Sequence, residues 1–321
     1  MTPSVWMFSG QGAQYFQMGA PLYAADPVFH DLVEECSRRL EPRLGASLTD
    51  ILYRPRPDRF APFTRTLHSH AALFTVQYAL AQTLRRRGHR PDYVFGYSLG
   101  EFVAYAVAGC VSLDNALGAV CAHAAALEAH APPGAMLAVV DRLALIRRFP
   151  AEFGRVELAA DNYPGHFAVA GPVPAIDALQ AVLRTAGIDS VRLPVEFAFH
   201  SPGIAAAAPA FRAFAGTLAV RDPQCPVISA QAARVVRAPT GEDLWRVTAA
   251  PVQCRATIEI MEDYGAYLYL DLGPSGTLAN FVKYNLRPGS QSQFQAIMTP
   301  FGRDCDGLAA ADARLRSGPT G

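Results

Sequence analysis

Apolar residues along the chain alternate between short continuous runs, typical of buried strands, and stretches with the three-to-four-residue period of amphipathic helices. Residues 4–8 are the first such run, and a glycine-rich turn at 9–14 ends it. The same alternation continues through the first 130 residues and predicts a parallel α/β sheet. The predicted elements of this half are a strand at 4–8, helices at 26–40 and 69–87, a strand leading to Ser98, and helices ending near Gly109 and His130.

The pattern changes after Gly134. Over about 65 residues it reads strand, helix, strand, strand, helix, strand, an order that predicts a ferredoxin-like unit inserted in the larger α/β domain. Beyond this unit the pattern predicts a helix at 204–218, a strand near 226–228, a helix at 252–264 and a strand at 266–273. The residues after about Arg303 are polar and small, and we expect a loosely held tail there.

Composition narrows the class of protein. The chain has 321 residues, 51% of them hydrophobic, and 28 basic residues balance 28 acidic ones. This balance does not favour nucleic acid or a membrane surface as a partner. The six cysteines show neither a C-x-x-C pair nor metal-ligand spacing, so we expect reduced thiols in a cytoplasmic protein. The first residues do not resemble a secretion signal, and no apolar run is long enough to span a membrane.

One short motif carries the chemistry. Gly96-Tyr97-Ser98-Leu99-Gly100 stands where the predicted strand passes into a helix. Glycines on both sides of a serine permit the sharp turn that presents a nucleophilic Oγ at a helix N-terminus. There the backbone N–H of Leu99 can face a developing oxyanion. The alternative is an ordinary tight turn that happens to need two glycines.

The position of the histidines tests the commonest fold for this motif. In an α/β-hydrolase the base histidine follows the acid late in the chain. Here His200 is the last histidine in the sequence. The base must therefore be His200 or an earlier histidine, which weakens the ordinary hydrolase interpretation.

Five stretches, spread in order over most of residues 4–282, share one resemblance. They are Gly10-Gln11-Gly12-Ala13-Gln14, Gly96-Tyr97-Ser98-Leu99-Gly100-Glu101, Pro133-Gly134-Ala135-Met136, Phe197-Ala198-Phe199-His200-Ser201-Pro202 and Gly273-Pro274-Ser275-Gly276-Thr277-Leu278. In motifs and spacing the chain resembles the malonyl-CoA:acyl-carrier-protein transacylases and the acyltransferase domains of polyketide synthases. The resemblance implies an α/β-hydrolase-like large domain with a parallel sheet and an inserted ferredoxin-like subdomain.

The resemblance also implies a two-step acyl transfer. Ser98 would attack a thioester, and His200 would accept its proton. The backbone N–H groups of Gln11 and Leu99 would form the oxyanion hole, and a backbone carbonyl, for which Gln253 is the candidate, would orient His200. No metal or bound cofactor is implied, because the acyl group arrives on the phosphopantetheine of an acyl carrier protein or of CoA.

The departures from the family concern the acyl pocket. The resemblance places His123 at the position of the arginine that holds the carboxylate of malonyl. Histidine lacks the paired N–H donors of a guanidinium and is mostly neutral at pH 7. The other predicted substrate-binding residues are Phe197, Tyr97, His70, Asn162 and His166. Each change singly could be drift or packing. Together they predict a pocket for acyl groups without a free carboxylate.

The sequence thus predicts a large acyltransferase core at 1–131 and 200–303, a small subdomain at 132–199 and a tail at 304–321. It predicts a polyketide- or fatty-acid-type acyltransferase that passes its acyl group to a carrier thiol or, as an editing hydrolase, to water. Two alternatives stay open: a malonyl transacylase with a substitute cation, and a non-catalytic module that binds carrier protein. Because such carriers are acidic, possible contacts are Arg54, Arg56, Arg85, Arg86 and Arg87.

Overall fold

The computed structural model describes residues 2–55 and 61–317. Within these residues the strands are β1 (Ser4–Phe8), β2 (Tyr93–Gly96), β3 (Ala135–Val139), β4 (Glu157–Tyr163), β5 (His166–Gly171), β6 (Ser190–Arg192), β7 (Val227–Ser229), β8 (Arg234–Val236), β9 (Leu268–Asp271) and β10 (Gln293–Ala296). They form two separate sheets.

Helices connect most of these strands. Those of the described chain are α1 (Ala20–Ala25), α2 (Pro27–Leu44), α3 (Leu48–Tyr53), α4 (Thr66–Arg86), α5 (Gly100–Val107), α6 (Leu113–His130), α7 (Pro150–Phe153), α8 (Val173–Thr185), α9 (Ala208–Ala215), α10 (Gly241–Ala249), α11 (Cys254–Tyr264), α12 (Thr277–Asn285) and α13 (Asp304–Ser317). Short 3-10 helices occupy Leu143–Arg147 and Pro202–Ala207. No helix in the described ranges is long and apolar enough to cross a membrane.

The larger sheet has the strand order β10-β9-β1-β2-β7-β8. Its strands are parallel except β8, which pairs with β7 in the antiparallel sense. The inner strands are buried, with β1 enclosed along its whole length, whereas the edge strands β8 and β10 are partly exposed. In the register of β1 and β2, Phe8 lies opposite Gly96, so the loops that follow these two strands leave the sheet side by side. This register brings together the two loops that form the site described below.

The smaller sheet has the order β4-β5-β3-β6 and is antiparallel throughout. With α7 and α8 it encloses its own apolar core, which includes Leu137, Val169, Ile176 and Leu183. This is the strand order of a ferredoxin-like unit. The predicted fold class, a parallel α/β domain with an inserted small antiparallel unit, is confirmed. The domain limits at 132–199 stay a prediction.

Two predictions in the C-terminal half are wrong. Of the expected loose tail, residues 304–317 form α13, in which Leu308 and Ala311 are buried and Asp312 bonds to His89 at 2.5 Å. Leu308, Ala311 and the partly buried Leu315 follow the i, i+3, i+7 spacing of an amphipathic helix, so the signal was present in the sequence. The helix expected at 204–218 begins instead as the 3-10 helix Pro202–Ala207 and ends at Ala215.

Candidate active site

Ser98 stands in a strained turn between β2 and α5. Its φ is 53°, in the left-handed region that side chains other than glycine rarely adopt. The flanking glycines are required by close contacts: a Cβ on Gly96 would lie 2.4 Å from the Cα of Glu101, and one on Gly100 would lie 1.9 Å from the carbonyl oxygen of Phe8. The turn is therefore held from both sides, and Ser98 Oγ is presented beyond the end of the sheet.

His200 lies beside this serine. Its Nε2 is 2.8 Å from Ser98 Oγ, and its Nδ1 is 2.8 Å from the carbonyl oxygen of Ala250. A carbonyl can only accept, so Nδ1 carries the proton and Nε2 is left to accept from the serine hydroxyl. Burial lowers the pKa of His200 to about 4, against which the Ala250 hydrogen bond acts weakly. The ring is thus neutral and in the tautomer that a general base needs.

The carbonyl that bonds to His200 was assigned to the wrong residue. Gln253 does not reach the ring: its Nε2 donates to the carbonyl of Gln231 at 2.9 Å, and its backbone N–H donates to Ala230. Helix α10 ends at Ala249, and the next residue is extended because Pro251 follows it. That ending leaves the carbonyl of Ala250 outside the helix ladder, where it accepts from His200.

The loop after β1 passes directly over the serine. A Cβ on Gly10 would lie 2.7 Å from the Cβ of Ser98, so glycine is needed for this approach. Within the described residues, the backbone N–H groups of Gln11 and Leu99 donate no hydrogen bond to protein. Two neighbouring free N–H donors beside a serine Oγ can receive an oxyanion.

A cavity of about 160 Å³ opens at Ser98 between the two sheets. Tyr97, Asn162 and His166 line it, and they bond in series: the Tyr97 hydroxyl donates to Asn162 Oδ1 at 2.8 Å, and Asn162 Nδ2 donates to His166 Nδ1 at 3.0 Å. The rest of its wall is largely apolar, with Ala13, Met136, Ala138, Ala168, Leu193, Phe199, Leu278 and Phe281. Among the described residues that line it there is no lysine or arginine.

Three of the predicted pocket residues do not line the cavity. His70 and His123 are completely buried, with Phe199 between them and the pocket; its ring centre is 5.9 Å from that of His70 and 6.5 Å from that of His123. Phe197 packs edge-on against Phe199 from behind, with centroids 6.3 Å apart. Sequence reasoning chose Phe197 and overlooked Phe199. The signal was present, because Phe199 directly precedes His200.

Four of the arginines proposed as carrier contacts, Arg54, Arg85, Arg86 and Arg87, do not line the cavity. Arg85 and Arg86 end α4, about 24 Å along this helix from His70 at a rise of 1.5 Å per residue. Arg87 is paired with Asp26 at 2.6 Å. Arg54 is exposed at the end of α3, and Arg56 lies outside the described residues. The α4 arginines therefore give no support to a carrier surface at the pocket mouth.

Comparison with known proteins places this arrangement in a family. The sequence profile of the acyl transferase domain matches residues 5–316. The chain belongs to this acyltransferase family. It is 36% identical over 317 residues to the polyketide biosynthesis acyltransferase homolog BaeD of Bacillus velezensis, covering 99% of this chain and 98% of that protein. It is 34% identical over 306 residues to the homolog PksD of Bacillus subtilis, covering 95% and 94%.

Solved acyltransferases share the fold. The acyltransferase domain from the second module of the salinomycin polyketide synthase superposes with a TM-score of 0.85 at 30% identity, over 99% of this chain and 77% of that one. MCAT from Streptococcus pneumoniae superposes with a TM-score of 0.78 at 26% identity, over 97% and 99%. The protein is thus an acyltransferase of the polyketide biosynthesis type. Acyltransferases of this family act on thioesters carried by phosphopantetheine and need no metal or cofactor.

Proposed function

We propose that this acyltransferase forms an acyl ester on Ser98 from thioesters whose acyl group has no free carboxylate. The observation that carries the proposal is the cavity itself, in which the Ser98–His200 pair faces a largely apolar wall without a cation among its described residues. The acyl donor is a phosphopantetheine thioester of an acyl carrier protein or of CoA. The acceptor is a second carrier thiol or water.

The chemistry follows from the contacts of the two side chains. Ser98 Oγ attacks the thioester carbonyl while its proton passes to Nε2 of His200, which is neutral and ready to accept it. The carbonyl oxygen becomes an oxyanion held by the N–H groups of Gln11 and Leu99. The C–S bond then breaks, and the thiolate takes the proton from Nε2. The incoming thiol or water then attacks the ester carbonyl while its proton passes to Nε2 of His200. The bond between the acyl carbon and Ser98 Oγ breaks, and Oγ takes the proton back from Nε2.

The absence of a cation in the described wall disfavours a dicarboxylic acyl group. His123 cannot supply the charge, because it is fully enclosed and burial lowers its pKa to about 3. A buried carboxylate without its partner costs about 3–5 kcal/mol. At about 1.4 kcal/mol per decade, this corresponds to a loss of roughly two to four orders of magnitude for malonyl. A neutral acyl chain instead gains about 0.8 kcal/mol for each CH₂ that the cavity buries.

The partner is inferred from chemistry shared with relatives. BaeD and PksD are named as polyketide biosynthesis proteins, and they match nearly the full length of this chain. We infer that an acyl carrier protein of such a pathway delivers the substrate. A protein that removes acyl groups from stalled carriers by hydrolysis uses the same ester on Ser98, so the two outcomes differ only in what enters the cavity second.

The test is a competition between malonyl and butyryl thioesters of one phosphopantetheine carrier at pH 7, read by intact protein mass. Butyryl is expected to load Ser98 about 100-fold faster than malonyl, and the Ser98→Ala protein should carry no adduct. Faster loading of malonyl would support the ordinary malonyl transacylase. A folded protein that loads neither thioester would support the non-catalytic carrier-binding module.

The acceptor is read in the same samples. The butyryl protein is freed of excess thioester and left in buffer with and without an unacylated carrier protein. Loss of the adduct in buffer alone indicates hydrolysis. An adduct that persists in buffer and leaves only when carrier thiol is added indicates transfer.

A further inference from the structure

Two buried histidines join the loop that carries Gln11 to the segment that holds His200. The side chain of Gln11 donates from Nε2 to Ser69 Oγ at 3.1 Å and to Nδ1 of His70. His70 Nε2 is 3.1 Å from Nδ1 of His123, and His123 Nε2 is 2.7 Å from Thr248 Oγ1. The chain of hydrogen bonds thus crosses the core from α4 through α6 to α10.

With the Gln11 amide oriented so that Nε2 faces His70, the donors and acceptors give one proton order along this chain. Since Gln11 Nε2 can only donate, Nδ1 of His70 accepts and its Nε2 carries the proton. His70 then donates to Nδ1 of His123, so the proton of His123 is also on Nε2 and points to Thr248. The hydroxyl of Thr248 donates in turn to the carbonyl of Trp245 at 3.1 Å. Every N–H and O–H along the chain has an acceptor.

The far end of the chain reaches His200 through the backbone. The carbonyl of Thr248 accepts the backbone N–H of His200 at 2.8 Å, and Ala250, two residues on, orients the ring. At the near end, Gln11 supplies one of the two free N–H groups beside Ser98. One continuous set of hydrogen bonds therefore spans the loops that hold the oxyanion donor and the base.

The surroundings keep the pair neutral. Around His123 stand the rings of Phe102, Phe199, Phe211 and Trp245, with centroids between 5.1 and 6.5 Å away. His70 contacts Phe199 and is completely buried. Burial lowers the pKa of both rings, and the pKa of His70 lies well below its ordinary value. Neutral rings can accept on one nitrogen and donate on the other, which a cation cannot do.

We propose that His70 and His123 are positioning residues that hold the Gln11 loop at a fixed distance from the His200 segment, so that oxyanion donor and base act on the same carbonyl. The proposal rests on the proposed ester chemistry at Ser98 and deepens it. Neither ring touches the substrate, since Phe199 stands between them and the cavity. Acyl transfer is sensitive to such placement, because a displacement of about 1 Å can cost on the order of 100-fold in rate.

The first test reads the proton order directly and does not depend on activity. In protein labelled with ¹⁵N-histidine, the ring resonances are assigned by comparison with the His70→Gln and His123→Gln proteins. At pH 7 both rings are expected to be neutral with the proton on Nε2, whereas His200 should carry it on Nδ1. A cationic ring, or a proton on Nδ1 of His70 or His123, would overturn the proposal.

The second test separates position from stability. His70→Leu and His123→Leu should each lower the rate constant of Ser98 acylation about 10- to 100-fold, with KM changed less than about threefold. His70→Gln keeps one acceptor and one donor and should recover the rate to within about threefold. Phe211→Leu is the matched control: its ring packs on His123 without a hydrogen bond, so it should lower the melting temperature but not the acylation rate.

The double variant His70→Leu/His123→Leu completes the design. It leaves no ring nitrogen unpaired, and Gln11 and Thr248 each keep one partner, so it should be at least as stable as either single variant. Its acylation should stay slow. Recovery of the rate in this variant would show that the pair matters only for stability, and wild-type rates in the single variants would equally refute the proposal.

The same measurements distinguish failure of the proposed function from failure of the positioning role of His70 and His123. All variant rates are ratios to the unmodified protein with whichever thioester loads it fastest. If that thioester is malonyl, the proposed substrate class is wrong, but the ratios still decide the role of the pair. If no thioester loads, the proposed ester chemistry fails, and the tautomers alone decide whether the chain of hydrogen bonds exists.

Discussion

The rate of Ser98 acylation is expected to stay nearly constant from pH 8 down to about pH 5. The group that limits it is His200, which must be neutral to accept the serine proton. Its ring is buried, and burial lowers its pKa to about 4 although the Ala250 carbonyl acts in the opposite direction. No carboxylate on Nδ1 raises the pKa again, because the partner of Nδ1 is that carbonyl.

The size of the effect follows from the fraction of neutral ring. At pH 5.5 a histidine with a pKa of 4 is about 97% neutral, whereas one with an ordinary pKa of 6.5 is about 9% neutral. The two cases therefore differ by roughly tenfold in acylation rate at that pH. Butyryl thioester is mixed with the protein at constant ionic strength between pH 5 and 8, quenched in acid at set times, and the Ser98 adduct is measured by intact mass.

The control for this experiment is a check that the protein remains folded at each pH. Because the pKa of His200 is lower in the folded protein than in the unfolded chain, the unfolded chain binds the proton first. Stability from this group is complete above about pH 6.5 and is lost as the pH falls toward 4. Circular dichroism must therefore show folded protein at each pH. A rate that falls with a midpoint between pH 6 and 7 in folded protein would refute the buried neutral base.

Three further outcomes are expected. Ser98→Ala should abolish the adduct in intact mass, and His200→Ala should slow its formation by about 10²–10⁴-fold; a normal adduct on either protein would contradict its role. Gly100→Ala should lower the free energy of unfolding by about 1–3 kcal/mol or prevent folding, because the added Cβ would meet a backbone oxygen of β1 at 1.9 Å. Its control is Gly216→Ala, where the nearest atom is 3.4 Å away and φ is −65°, and equal melting temperatures would contradict the close approach. His166 lines both the active-site cavity and a neighbouring cavity of about 320 Å³. Because His166→Ala should join the two cavities and bury more of a long chain, it should raise the ratio of octanoyl to acetyl loading about tenfold. An unchanged ratio would show that His166 is not the wall between the cavities.

The parts of the site that depend on neighbouring residues could be predicted from the sequence. The turn around Ser98 is local: two glycines, an apolar strand before it and a helix after it leave few conformations. The end of β1 lies beside the end of β2 because consecutive parallel strands tend to be neighbours, and this brings Gln11 to Ser98. Both features are set within a few residues of the motif that predicts them.

Other parts depend on where one helix ends or on which of two neighbouring rings reaches the cavity. The hydrogen bond to His200 comes from Ala250 rather than Gln253, a difference of three residues that is decided by the end of α10 before Pro251. Phe199, not Phe197, lines the cavity: the chain turns between them, with the N–H of Phe199 donating to the carbonyl of Phe197 at 3.0 Å, and the two rings pack edge-on. Patterns of residue type do not resolve shifts of two or three positions.

The sequence analysis predicts His123 at the position where the resemblance implies an arginine, and the contacts of this ring show why an arginine would not suit its surroundings. A guanidinium only donates, so it would face the Nε2–H of His70 with another donor and would need an anion to justify its burial. His123 instead accepts from His70 and donates to Thr248, and both bonds are satisfied without charge. The two histidines are therefore complementary, because His70 donates the hydrogen bond that His123 accepts. Under the two proposals, His123 accounts for both features: it is a neutral side chain behind the cavity wall, and it carries the hydrogen-bonded link between the Gln11 loop and the His200 segment.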